Sequence, residues 1–244
     1  MPSLSPTSAR RAALVAGVLY LVTIVSSIPA VLLLRPVLDD PGYIVSSGAD
    51  ARVLLGCLLD IVNAVACVGT AVALFPVVRR EHEGVALGFV ASRLFEAGVI
   101  MIGVVSLAAV VTLRRPGADG AEAATLVTVG KALVAVRDWT FLFGPSLVPA
   151  FNALLLGYLM YRSGLVPRVI PLMGLVGAPL LIVSVVARTF AGQDQLVLLA
   201  GIATLPIFAW ELSLGLYLTF KGFRPVPLLA PAGAHPPAGV PVAE

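Results

Sequence analysis

Six times along this 244-residue chain an apolar run continues for more than 20 residues: Ala12–Leu34, Val53–Val78, Val85–Leu113, Trp139–Tyr161, Val169–Phe190 and Leu196–Phe220. About 20 predominantly apolar residues in a helix cross ~30 Å of hydrocarbon. A helix satisfies its own backbone hydrogen bonds there, which an isolated extended segment cannot do. The runs predict an all-α polytopic membrane helix bundle with six transmembrane helices. The composition agrees, at 59% hydrophobic and 12% charged, where soluble domains carry about 25% charged residues. So little polar surface cannot coat a water-soluble globule. Prolines fall inside the runs, at Pro29, Pro145, Pro149, Pro171, Pro179 and Pro206. Membrane helices tolerate them because neighbouring groups satisfy the freed carbonyls.

This divides the chain into an N-terminal segment over 1–11, a six-span membrane domain over 12–222 and a Pro/Ala-rich tail over 223–244, the tail expected to be disordered. The first run exceeds the ~7–15 residues of a secretory h-region, so it reads as an uncleaved span. Between Pro116 and Asp138, Leu126, Val129, Leu133 and Val136 recur at helical spacing among Glu122, Lys131 and Arg137. That pattern predicts an interfacial amphipathic helix before the chain turns in at Trp139. The alternative is a tilted, over-long fourth span. Net charge is +3, with basic residues in short groups between apolar runs, which reads as topology signal and argues against nucleic acid as a partner. The basic connections Arg79-Arg80 and Arg162…Arg168 place both termini in the cytoplasm.

The runs Arg11-Ala-Ala-Leu-Val-Ala-Gly17-Val-Leu-Tyr20, Arg93-Leu-Phe-Glu96, Asn152-Ala-Leu-Leu-Leu-Gly157-Tyr-Leu-Met-Tyr161-Arg162 and Trp210-Glu211-Leu-Ser-Leu-Gly215 resemble those of a family of bacterial membrane proteins, the domain of unknown function DUF4386. The resemblance covers roughly Arg10 to Phe223 and rests on the order and spacing of the runs. It implies a multi-pass protein of the bacterial inner membrane. It supplies no activity, substrate or catalytic residue.

Ionisable side chains inside the runs are costly, at least ~2.5–3.5 kcal/mol each at the bilayer centre. Four stand out: Asp60, Arg93, Glu96 and Glu211, with Asn63 and Asn152 as polar companions. Arg93 and Glu96 are i, i+3 on one helix face. The stripe Gly84, Gly88, Ser92, Glu96 and the face Gly56, Asp60, Asn63, Ala64, Cys67, Ala71 carry the small residues of close helix contacts. Counted from the cytoplasmic ends, Arg93 lies about 12 Å deep, Glu96 about 16 Å, and Glu211 and Asn152 about 15 Å. Asp60 lies roughly 10 Å from the opposite end of its span, near Arg137 and Asp138. One guanidinium cannot neutralise two carboxylates, so the leftover acid is expected to hold a proton or meet water.

No Walker, G-x-G-x-x-G, G-x-S-x-G or H-E-x-x-H motif occurs. His82 falls in a loop and His235 in the tail, so neither a metal site nor a cofactor is expected. Asp39, Asp40, Asp50 and Arg52, in the first outer loop, read as solvated. Cys57 and Cys67 stand about 15 Å apart on one helix and cannot pair. Three functions follow: a small-molecule or proton-coupled transporter using the Arg93/Glu96/Glu211 layer; a non-catalytic component that assembles with itself or a membrane partner through small-residue faces; and, least supported, an intramembrane enzyme, which lacks a nucleophile–base pair. Beyond such a partner, the lipid bilayer is the expected surrounding. A hydrated path to the midplane separates the first from the second.

Overall fold

The computed structural model describes residues 5–48, 50–191 and 197–229. Seven α-helices occupy them: α1 (Pro6–Asp39), α2 (Asp50–Val78), α3 (Glu83–Leu113), α4 (Gly120–Phe143), α5 (Val148–Ser163), α6 (Val169–Ala191) and α7 (Val197–Phe220). Local chemistry sets several boundaries. Pro6 opens α1 behind Ser5, whose Oγ accepts from Ser8 N at 3.1 Å. The His82 Nδ1 accepts from Val85 N at 3.2 Å and caps α3. Gly164 takes φ 66° to end α5, a conformation open to glycine at no steric cost.

Six helical units are long and apolar enough to cross a membrane, α4 and α5 counting as one. Neighbours in sequence pack side by side, and α7 closes against α1, so the units form a ring. Arg10 near the start of α1 donates to the Leu218 and Thr219 carbonyls at the end of α7, both at 3.0 Å, so both ends of the membrane domain lie on one side. The ring closes tightly there: a Cβ at Gly17 would stand 2.5 Å from Thr219 N. Apolar side chains such as Val25, Val65, Val105, Val183 and Leu205 point outward, each more than 60% exposed. In water that belt would be unstable; in lipid it carries no penalty. The chain is thus a multi-pass membrane protein.

The interior has two cores. The one nearer the termini draws on α1 to α7 and includes Tyr20, Phe89, Leu156 and Trp210. The one on the far side includes Leu34, Ile44, Val53, Ile100 and Leu107, and among the described residues takes nothing from α6 or α7. Leu181 and Val185 of α6 and Ile207 of α7 belong to the first core.

Two expectations are corrected by the structure. Residues Glu122–Arg137 are helical, but they do not lie flat at the surface. Along α4 and its exit, Gly130, Arg137 and Gly144 meet Ile44, Gly103 and Val99 in turn. The helix therefore descends antiparallel to α3, as the first limb of a fourth span broken at Gly144–Leu147. Its apolar Leu126, Val127, Leu133 and Val134 pack on the far core, Glu122, Lys131 and Asp138 are exposed, and Arg137 is its one buried charge, held by the partner Asp60. The tail is also more ordered than expected over 223–229. Arg224 N donates to Leu165 O at 2.8 Å, and Phe223, Val226, Leu228 and Leu229 pack on the core. The rest of that expectation falls on residues 230–244 and lies outside the described residues, as does Leu196 of the sixth run.

Candidate functional site

Arg93 is the hub of the bundle interior. It projects from α3 about three turns after the helix begins, is 2% exposed, and meets groups on α1, α2 and α7 as well as on its own helix. Its Nη1 donates to Glu96 Oε2 at 3.0 Å and its Nη2 to Glu211 Oε1 on α7 at 3.2 Å. Asn152 Nδ2 on α5 donates to the same Glu96 Oε2 at 2.8 Å. Cys67 Sγ on α2 lies 3.6 Å from Arg93 Nη1, and the Tyr20 ring on α1 lies under the guanidinium, 5.0 Å to its centroid. The depths counted from the sequence put Arg93, Glu96, Asn152 and Glu211 at one level, and the structure brings these four into contact.

The other two candidates stand apart from this hub. Asp60 on α2 pairs with Arg137 on α4 at 2.7 Å. Both side chains are buried, at 7% and 3% exposed, and Arg137 rests on the Phe141 ring at 5.3 Å. A Cβ at Gly103 would stand 2.8 Å from Arg137 Nη1, so glycine makes room for the guanidinium. Asn63 lies between the two layers, its Oδ1 accepting from Cys67 Sγ at 3.9 Å.

A cavity of about 460 Å³ reaches the Arg93 layer. Thr23, Asn63, Arg93, Glu96 and Glu211 line its deep end, and Arg188, Ala200 and Gly201 line the other, near the far ends of α6 and α7. Pro145, Ser146 and Pro149, around the break between α4 and α5, form part of its wall. The carboxylates do not face it equally: Glu96 is 5% exposed and Glu211 is 17%. Three buried polar atoms of the layer have no partner among the described residues: Tyr20 Oη, Arg93 Nε and Asn152 Oδ1.

Sequence reasoning missed Tyr20, the broken fourth span and a tie on the far side. Tyr20 had a signal, as a tyrosine well inside the first run. At the tie, Arg114 donates to the Tyr43 and Gly48 carbonyls at 3.0 and 3.1 Å, and to Ser46 O and Asp50. It fixes the turn between α1 and α2, so Asp50 is held in an ion pair and is not simply solvated. Burial, then the Asp50 hydrogen bond, pushes the Tyr43 phenol up to about 12. Cys57 and Cys67 are free and buried.

No curated protein and no solved structure matches the chain. A model of a domain of unknown function, DUF4386, matches residues 15–222, a stretch that takes in Tyr20, both ion-paired layers and the cavity between α1 and α7. By that match over most of its length, the chain belongs to the DUF4386 family.

Proposed function

We propose that this protein is a small proton-coupled transporter of the bacterial inner membrane, with both termini cytoplasmic and the Arg93/Glu96/Glu211 layer as its exchange site. The observation that carries this reading is the cavity that ends on two carboxylates and one guanidinium. A layer that only held helices together would need no such opening. With both acids ionised the three groups sum to −1, and a buried uncompensated charge is unstable unless a proton or another cation joins it. The unpartnered atoms Tyr20 Oη, Arg93 Nε and Asn152 Oδ1 fit a hydrated layer, since buried polar groups normally find a protein or water partner. The orientation follows the basic connections near the termini side.

Assembly through small-residue faces has less support. Gly17 is already occupied against α7, Gly103 against Arg137 and Gly174 against Trp210, where a Cβ would come within 2.9 Å. The test is a pH jump applied to proteoliposomes on a solid-supported membrane. The wild type is expected to give a transient charge movement from proton binding, Asp60→Asn to keep it, and the Glu96→Gln/Glu211→Gln double variant to lose it. A wild type indistinguishable from empty liposomes, or a signal that survives in the double variant, ends the reading.

A further inference from the structure

We propose that the cavity takes a monovalent organic cation with an apolar body, bound at the Glu211 carboxylate in exchange for a proton. This rests on the reading of the layer as a proton-exchanging site and adds what the proton is exchanged for.

The two carboxylates are held differently. Glu96 Oε2 accepts from both Arg93 and Asn152, at 3.0 and 2.8 Å, and its side chain is 5% exposed. Glu211 accepts only from Arg93 among the described residues, at the longer 3.2 Å, and is more than three times as exposed. The surplus negative charge therefore resides at Glu211, on the cavity side of the layer. The groups around it do not cancel that charge. Tyr20 on α1, Cys67 on α2 and Asn152 on α5 are neutral groups. Arg93 and Glu96 on α3 neutralise each other. Arg188 is the other charged residue of the cavity wall; it stands seven residues beyond Leu181 along α6, about 10 Å further toward the far end, and has interactions of its own. The deep end therefore repels an anion and attracts a cation.

The wall selects the kind of cation. Leu181, Ile207, Phe141 and Phe208 line it, and aromatic faces attract organic cations. The hydroxyls of Thr23, Ser27 and Thr204 all donate to carbonyls of their own helices, so their protons are engaged and their lone pairs, which suit a cation and not an anion, remain. A bare metal ion needs several oxygen ligands in place of its water shell, and among the described residues no group of three or more His, Cys, Asp or Glu could hold one. A cation whose charge is spread over apolar groups loses little hydration and gains apolar contact. The volume falls within the ~300–1,000 Å³ of small-molecule sites. The exchange balances: the Glu211 carboxyl O–H breaks, its proton leaves to water, and the carboxylate retains the electron pair and faces the cation.

The test uses the full chain purified in detergent and radiolabelled tetraphenylphosphonium as probe. Binding is expected to release one proton per cation and to strengthen about tenfold per pH unit while the carboxyl is protonated. Glu211→Gln should abolish it; Glu211→Asp, which keeps the charge, should retain it; Asp60→Asn should leave it unchanged. Binding that persists in Glu211→Gln, or that releases no proton, overturns the proposal. So does tighter binding of tetraphenylborate, which has the same shape and the opposite charge. If the pH-jump signal is present and neither probe binds, the cation proposal falls while the proton reading stands. Cation binding without a pH-jump signal retains the cation site and ends the proton exchange.

Discussion

The bundle buries two guanidinium layers, and their charge balance differs. Arg137 meets one carboxylate, Asp60, among the tightly fitted residues of the far side. Arg93 meets two, Glu96 and Glu211, at the end of a cavity. The first layer sums to zero and is closed, since neither Asp60 nor Arg137 lines the cavity. The second, with both acids ionised, sums to −1 and is open. Burial alone does not distinguish them, because Arg93 and Arg137 are equally buried at 2% exposed. A balanced pair can serve as a fixed strut; an unbalanced one needs a mobile charge, and only the unbalanced one has a route for it. Substitutions can test whether that division of roles is real.

The largest effect is expected from Arg93→Ala, which leaves two carboxylates facing each other in the interior. Removing one partner of a buried pair costs about 3–5 kcal/mol, and here one deletion unpairs two acids. The yield of monodisperse protein in detergent should collapse and recover in part as the pH is lowered, because protonation removes the repulsion. Arg137→Ala strands one carboxylate and should cost less, with most of the loss restored by adding Asp60→Asn. Equal losses, or a failure of Asp60→Asn to compensate, would remove the distinction between the layers.

Next in size is Glu211→Gln. The amide retains an acceptor for Arg93 Nη2 and leaves the layer neutral, so stability should change by no more than about 1 kcal/mol in either direction. The informative readout is the pH dependence of the melting temperature. It should flatten in Glu211→Gln, and it should not flatten in Asp60→Asn to the same degree. Matching pH profiles for the two variants would mean that the surplus charge is not where the geometry puts it.

The same residues show how far the sequence leads. Six spans are legible because an apolar run of a given length has few other solutions. The meeting of Arg93, Glu96, Glu211 and Asn152 is legible because a buried charge requires a partner and helical rise converts residue number into depth. The face of α2 that reads as small and polar is buried as expected at Gly56, Asp60, Asn63, Ala64, Cys67 and Ala71. On α3 the reading drifts: the buried stripe runs through Ala86, Phe89, Arg93 and Glu96, while Gly84 is exposed. Small residues mark close contact only where a neighbouring helix approaches them, and Phe89 has the stronger claim to the interior. Arg137 is read correctly as near Asp60, but the lie of its helix is misread for a related reason. Period and polarity give an amphipathic helix, but they do not say which one of its charged residues, here Arg137, turns to a buried carboxylate. The cavity has no sequence signal, because residues of all seven helices line it and none of them announces it alone.

The smallest expected effect is the sharpest check on the closed layer. Asp60→Leu combined with Arg137→Met removes both charges together and fills similar space. Single deletions would strand a charge; the double change strands none. Buried ion pairs replaced by apolar residues of similar volume are often neutral or stabilising, because the desolvation of both ions is no longer opposed to folding. In a hydrocarbon surrounding that desolvation term is at least as large. Arg137 Nη1 is also buried without a partner among the described residues, so its removal forfeits less than that of a fully bonded guanidinium would. Gly103 leaves room beside it, which lets the flexible methionine chain settle without strain. The double variant should therefore fold with a melting temperature close to that of the wild type and keep the pH-jump signal undiminished. A large loss of stability would make Asp60–Arg137 an indispensable strut; a normal fold with a lost signal would make it part of the proton route, and the two layers would have to be treated as one site.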